Sequence, residues 1–350
     1  MKDFIPLGNI PLSIKNKIGK NIYQIPDHPI CIIKERIYDY FKNSREIFEG
    51  INPYVDTKSN FDDLLIPSDH PSRSQSDTFY KDVNTVLRTH TSAHQTQFMR
   101  DGKNNFLVTG DVYRKDEIDA FHYPVFHQME GVSILDGQID PIKVCEVIKQ
   151  NLGGLIEFLF PGCEYKFVDT YFPFTNPSCE IEVLLNGKWV EVLGAGVIRE
   201  EIMTNCGLIN KSGWAFGLGL ERLAMIFFEI PDIRYFWTDD ERFINQFKKG
   251  QITKFKEYSK YPSAVRDISF YYYEPFMPND FYTILNDCSE NLVSKTDLID
   301  SFLNPKTGQK SVSYRIHFES LERTLTSDEV NSQIIKIKDN LIEKYSVIMR

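Results

Sequence analysis

Ile181-Glu182-Val183-Leu184-Leu185-Asn186-Gly187-Lys188-Trp189-Val190-Glu191-Val192 is the stretch on which the fold turns. Two runs rich in β-branched and large apolar residues flank Asn186-Gly187, a strong signal for a tight hairpin. The predicted strands are Ser178–Leu185 and Lys188–Leu193. Further strand patterns at Phe106–Arg114, Val125–Ile134, Lys166–Phe172 and Gly213–Leu218 are interspersed with helices between about 84 and 220. Their connections are loops and hairpins more often than regular helices. The reading is an α+β fold built on a mostly antiparallel sheet with flanking helices, not a doubly wound one.

Upstream, residues 1–30 are polar and punctuated by Pro6, Pro11, Pro26 and Pro29, and read as an extended arm. Helical periodicity runs from Ile30 to Phe48, and turn residues dominate 50–80. Downstream of Trp237, a short helical pattern at Asp240–Phe247 and a Lys-rich stretch at 248–260 read as a connector. There follow strand Ala264–Tyr273, helix Asn279–Cys288, strands near Leu292–Leu303 and at Lys310–Glu319, helix Ser327–Tyr345 and a short tail. That is the β-α-β-β-α-β order of a ferredoxin-like unit. Thr326-Ser327-Asp328-Glu329 supplies capping chemistry for its last helix. A chain of 350 residues is expected to hold two domains. The divisions are an arm at 1–30, a main domain at 31–240, a linker at 241–257 and a smaller unit at 258–350.

A net charge of -9 excludes a protein that coats nucleic acid through bulk electrostatics. Residues 258–350 hold 11 basic and 13 acidic residues, so any RNA-facing surface there is a local patch, with Phe270–Tyr273 as candidate aromatics. No apolar run is long enough to span a bilayer. The six cysteines are spread along the chain without a C-x-x-C, which points to reduced thiols rather than a disulfide framework or a zinc knuckle. No secretory leader is legible, and Lys2, Lys15, Lys17 and Lys20 without an arginine make a poor transit peptide.

Chemically useful residues recur two apart on the predicted strands, which puts them on one face. Arg114 and Asp116 do so, as do Phe126, Gln128 and Glu130, then Phe172 and Phe174, then Ala215 and Gly217. His90 and Ser92 share the spacing if their segment is extended. An arginine fork suits phosphate oxygens. Gln128 and Glu130 offer acceptors for an ammonium, and two phenylalanines over alanine and glycine make a slot for an aromatic ring. Gly217-Leu218-Gly219-Leu220-Glu221-Arg222-Leu223 runs from strand to helix and sets Arg222 in a first helical turn, where phosphate is favoured. It is neither a Walker loop nor a G-x-G-x-x-G turn. A zinc enzyme is not expected from His90, His94, His122 and His127, because no helical H-E-x-x-H or cysteine partner accompanies them.

Gly110-Asp111-Val112-Tyr113-Arg114-Lys115-Asp116 with Phe126-His127-Gln128-Met129-Glu130-Gly131 resembles motif 2 of a class II aminoacyl-tRNA synthetase. Gly217–Leu223 resembles motif 3, and Phe61–Arg73 the motif 1 region. Arg88-Thr89-His90-Thr91-Ser92, Tyr171-Phe172-Pro173-Phe174 and Gly213-Trp214-Ala215-Phe216-Gly217-Leu218-Gly219 resemble phenylalanyl-tRNA synthetases in particular. The last unit is similar to the anticodon-binding domain of their single-chain organellar members. The likeness runs from about residue 28 to the end.

The resemblance implies ATP-dependent activation of L-phenylalanine and its transfer to tRNA(Phe), with Mg²⁺ accompanying ATP and Glu191 as the nearest candidate for it. Arg114 would hold the α-phosphate and Arg222 the γ-phosphate, as the catalytic pair. Asp116, His122, Tyr123, Phe126 and Glu191 would complete the ATP site. His90, Ser92, Ala93, His94, Gln95, Gln128, Met129, Glu130, Phe172, Phe174, Ala215, Phe216 and Gly217 would form the phenylalanine site. Asp116 stands where many class II enzymes have glutamate. The resemblance further implies a monomer in the mitochondrial matrix, with a plastid-type organelle or the cytoplasm as alternatives; unlike some family members, the chain is expected to have no room for an editing domain. The competing readings are an acyl-adenylate ligase that charges no tRNA and an inactive relative that serves as a binding protein.

Overall fold

The computed structural model describes residues 8–258, 261–273, 276–289 and 291–350; the first seven residues of the arm and residues 259–260 lie outside it. The larger unit carries strands β1 (Glu46–Phe48), β2 (Tyr54–Asp56), β3 (Thr85–Leu87), β4 (Asn105–Tyr113), β5 (Val125–Asp136), β6 (Tyr165–Thr170), β7 (Thr175–Leu185), β8 (Lys188–Ile198) and β9 (Lys211–Gly219). Asn186 and Gly187 both take positive φ, at 50° and 76°, and reverse the chain between β7 and β8 in two residues. The main sheet has the order β1-β4-β5-β9-β8-β7-β6. Every pairing is antiparallel except β1 with β4. Strands β2 and β3 form a separate ribbon.

Helices Pro29–Phe41, Pro141–Leu159 and Leu220–Phe228 pack on one face of this sheet. The middle one starts cleanly because Asp140 accepts the amide of Ile142 and Pro141 needs no hydrogen bond at the first helical position. Ile33, Ile37, Ile148, Leu152, Leu223 and Phe228 meet Leu107, Met129, Leu193 and Leu218 of the sheet, all buried. Each such side chain contributes about 1.5–3 kcal/mol of burial. On the other face, Phe106, Val108, Val132, Ile134 and Ala215 pack with Met99, Ile202 and Met203 at one end. The rest of that face walls a cavity.

The helical pattern read from Ile30 to Phe48 stops at Phe41. Ser44 turns back, donating both its amide and its hydroxyl to the carbonyl of Phe41, and Glu46–Phe48 then adds to the edge of β4 as β1. The stretch expected as a linker is packed rather than free. Phe243 and Phe247 are fully buried in the main core, and Phe255 and Tyr258 pack at steep angles against Tyr235 beside them.

The smaller unit has strands β10 (Ala264–Tyr272), β11 (Val293–Leu303), β12 (Lys310–Phe318) and β13 (Ile348–Met349), in the order β11-β12-β10-β13. Helices Pro278–Ser289 and Ser327–Tyr345 cover it, and the capping box between Thr326 and Glu329 is complete. The short tail thus closes the sheet as β13. Phe270 and Tyr272 belong to this core and are not an RNA-facing patch, since alternate residues of β10 point inward; Tyr271 is half-buried and Tyr273 is exposed. None of the described helices is long and apolar enough to cross a membrane.

The two units touch around the loop between β4 and β5. Ile118 of that loop is buried in the smaller unit's core, and its carbonyl accepts the amide of Thr296. Tyr123 donates to Asn291 at 2.5 Å. Arg234 donates to the carbonyls of Asn291 and Glu319, at 3.1 and 3.0 Å.

Candidate active site

Register builds the site. Across β5 and β9, Gln128 pairs with Gly219, Glu130 with Gly217 and Val132 with Ala215. Across β8 and β9, Gly194 pairs with Gly217 and Gly196 with Ala215. Polar and aromatic side chains on β5 therefore stand beside a floor that carries almost no side chains. The result is a cavity of about 540 Å³. A Cβ at Gly217 would meet nothing within 4 Å, so this residue opens into free space. A Cβ at Gly194 would lie 2.8 Å from the ring of Phe172, which is seated in that notch. Phe172 and Phe174 lie nearly parallel, with centroids 5.8 Å apart.

At one end of the cavity Glu130 is buried, accepts the hydroxyl of Ser92, and leaves Oε1 without a partner among the described residues. Burial pushes its pKa up to about 8, against the hydrogen bond from Ser92. His90 tilts over Phe174 at 6.5 Å, with neither ring nitrogen given a side-chain partner among the described residues. Burial, and then the charge of Arg114, lower its pKa to about 3 and keep the imidazole neutral. Ser92 reaches this end from a single 3₁₀ turn, Thr91–His94, although His90 alone is extended.

At the other end Arg114, just past the end of β4, donates Nε to the carbonyl of Thr89 at 2.7 Å. Its guanidinium lies over the ring of Phe126, 5.3 Å from the centroid. Burial raises the pKa of Asp116, against the charge of His122. His122 is paired to Asp119 at 2.8 Å, and the hydrogen bond and charge of Asp119 raise its pKa despite desolvation. Arg222 is exposed at the rim in the first turn of Leu220–Phe228, 3.3 Å from the carboxylate of Glu191.

Of the expected residues, His90, Ser92, Arg114, Asp116, His122, Tyr123, Phe126, Gln128, Glu130, Phe172, Phe174, Glu191, Ala215, Gly217 and Arg222 line this cavity, and Phe216 borders it while its ring packs in the core against Phe41 and Trp214. Four do not. Met129 alternates with Gln128 and Glu130, so it lies buried in the core on the opposite face of the sheet. Ala93 packs with Phe61 and Leu64. The Nε2 of His94 faces Nη1 of Arg88 at 2.9 Å, and Gln95 is buried beyond it. The cavity also takes in Gly194 and Gly196, which spacing on the strand would have revealed had β8 been extended past Leu193. Glu221, to which the sequence gives no role, holds the amide and the Nδ1 of His127 with its two oxygens, at 2.8 and 2.6 Å, locking the helix start to β5. Its position next to Arg222 was the available signal.

Among the described residues, two places on this loop and rim offer carboxylate oxygens to a hard cation. One is the exposed carboxylate of Glu191 at the rim. The other is the loop group Glu117, Asp119 and His122, whose ligand atoms lie within 4.8 Å of one another.

Residues 11–247 match the family of tRNA synthetases class II core domain (F), and residues 259–350 match the ferredoxin-fold anticodon binding domain. The chain is 50% identical to the chloroplastic/mitochondrial phenylalanine–tRNA ligase of Arabidopsis thaliana, over 99% of this chain and 83% of that one. It is 42% identical to the mitochondrial phenylalanine–tRNA ligase of Dictyostelium discoideum, over 98% and 89%. With the mitochondrial enzyme of Mus musculus the identity is 43%, over 93% and 82%.

Proposed function

The chain belongs to the phenylalanine–tRNA ligases of class II, and on that premise we propose that its cavity holds L-phenylalanine at the Glu130 end and ATP at the Arg114 end. The protein is an aminoacyl-tRNA synthetase that uses ATP to make phenylalanyl-adenylate and transfers the phenylalanyl group to tRNA(Phe). The observation that carries the site assignment is the polarity of one cleft: a buried acid with a free oxygen at one end, arginines at the other, and an aromatic slot over glycines between them.

The α-ammonium of phenylalanine binds Glu130 and Gln128, with Ser92 fixing the carboxylate of Glu130. The ring lies between Phe172, Phe174 and the floor of Ala215 and Gly217. Adenine stacks on Phe126. Arg114 then holds the α-phosphate and Arg222 the γ-phosphate, while Asp116, His122, Tyr123 and Glu191 surround the nucleotide. The substrate carboxylate is ionised at neutral pH and attacks the α-phosphorus. The new C–O–P bond forms as the bond to pyrophosphate breaks, and the electron pair leaves with pyrophosphate. Positioning, with charge stabilisation by the two arginines, supplies the catalysis. A divalent cation, Mg²⁺ in our reading, fits the carboxylate oxygens at the rim and would neutralise phosphate charge. A ribose hydroxyl of the tRNA terminus then attacks the mixed anhydride and releases AMP.

The smaller unit serves tRNA, and the chain works as a monomer in an organelle, the mitochondrial matrix in our reading. The organellar location follows the relatives. Neither a ligase that stops at the adenylate nor an inactive relative has support among them. Phenylalanine-dependent ATP–pyrophosphate exchange, run beside charging of organellar tRNA(Phe), tests the whole reading. Exchange without a preference for phenylalanine, or exchange without charging, would sink it.

A further inference from the structure

Among the described residues, the guanidinium of Arg114 makes one hydrogen bond to the protein, from Nε to the carbonyl of Thr89. Both Nη groups are left to the cavity that Arg114 lines. That carbonyl, with the ring of Phe126 beneath the guanidinium, sets the direction of the fork, and something must set the carbonyl. Thr89 is gripped from behind by Asn60, the last residue of the short helix Thr57–Asn60. The Nδ2 of Asn60 donates to Oγ1 of Thr89 at 3.0 Å, and its Oδ1 accepts the amide of Thr89 at 3.1 Å. Asn60 is fully buried, so water does not replace either bond. On the N-terminal side of Thr89, the amide of Arg88 is tied to the carbonyl of Pro53 at 2.9 Å. The helix carrying Asn60 is itself capped by Asp56, which accepts the amide of Ser59 at 2.6 Å. Both halves of one amide side chain thus hold the amide and the hydroxyl of the residue whose carbonyl receives Arg114.

We propose that Asn60 is a positioning residue for the activation step, aiming the Arg114 fork at the α-phosphate through the backbone of Thr89. This rests on the assignment of Arg114 to that phosphate. Misplacement of a reacting group by about 1 Å costs on the order of 100-fold in rate. A side chain with no role beyond filling a buried polar slot would instead lower stability without acting through Arg114.

The test is a double-mutant cycle in phenylalanine-dependent pyrophosphate exchange, with melting temperature recorded for every variant. Asn60→Ala is expected to lower kcat by about 30-fold while KM for phenylalanine moves less than about threefold. In the Arg114→Lys background, which has no Nε fork for the Thr89 carbonyl to orient, the same change is expected to add less than about threefold. Thr89→Val removes only the hydroxyl half of the clamp and keeps the carbonyl. It is expected to show a smaller kcat loss with the same non-additivity, and it stands in for Asn60→Ala should that variant not fold. Losses that multiply in full with Arg114→Lys, or a lowered melting temperature with unchanged kcat, overturn the inference. Full activity of Arg114→Lys alone would overturn the phosphate assignment, and this inference with it.

Discussion

A carboxylate buried with one oxygen unpaired, as Glu130 is, titrates where the enzyme works. Its pKa is pushed up to about 8 by burial, so below that pH the empty cavity holds Glu130 protonated. An ammonium needs the ionised form, and its binding must therefore expel a proton. The sign follows: KM for phenylalanine is expected to rise about tenfold per pH unit as pH falls below about 8, and to level above it. Glu130→Gln is expected to flatten this profile and to raise KM at pH 8 by about 10–100-fold. KM measured by pyrophosphate exchange from pH 6 to 9 decides; a flat wild-type profile removes the coupling. His90, held neutral, adds nothing to the profile across that range. At the phosphate end, Arg114→Lys is expected to cut activation by at least ~100-fold, since a point charge cannot reproduce a fork. Near-normal exchange in that variant takes Arg114 out of the mechanism. At this scale the i, i+2 rule found the cavity-facing residues of β5 and β9. Motif membership does not carry this alternation: Met129, between Gln128 and Glu130, turns to the opposite face, and the ring of His94 faces Arg88.

Strands β8 and β9 act as one element, a floor whose facing residues are Gly194, Gly196, Ala215 and Gly217. Ala215 is 5% exposed and supplies one of the few side-chain atoms on that floor. Ala215→Gly is expected to deepen the slot and shift kcat/KM toward para-substituted phenylalanines by about tenfold relative to phenylalanine, the scale of one small apolar group in a pocket. Unchanged ratios would show that Ala215 does not bound the far end of the ring. Gly217→Ala makes the converse change. Its new methyl meets no protein atom within 4 Å, so the fold should tolerate it while the cavity shrinks. A rise in KM for phenylalanine with an unaltered melting temperature is expected, and a lowered melting temperature at normal KM would contradict the geometry. The hairpin at Asn186-Gly187 was legible because its turn chemistry is local. Strand β1 was not, because its three residues owe their conformation to the edge of β4, about sixty positions away in sequence.

At the scale of the whole molecule, the smaller unit does more than sit at the end of a chain. It covers Ile118 and holds Tyr123 through Asn291, and it sets Asp280 3.8 Å from the buried ammonium of Lys115. All three partners belong to the loop between β4 and β5 or to its base, and Tyr123 lines the cavity. The sequence pattern outlined the two units but not this contact, since no local periodicity encodes which loop a distant domain covers. Removing residues 261–350 therefore has two expected consequences. Charging of tRNA is lost, because the unit assigned to tRNA is gone. Adenylate formation persists, but with KM for ATP raised by about tenfold, because the loop has lost its packing and Lys115 its nearby charge. Near-native circular dichroism and a cooperative melt establish that the remaining unit has folded before either activity is read. A milder variant separates the two effects in the full chain. Asn291→Gly removes the side-chain partner of Tyr123 while tolerating the φ of 72° at that position, and is expected to raise KM for ATP while charging continues. A truncated protein that charged tRNA at the full rate would refute the division of labour between the units. An unchanged KM for ATP in both variants would show that the docked unit leaves the loop as it would be without it.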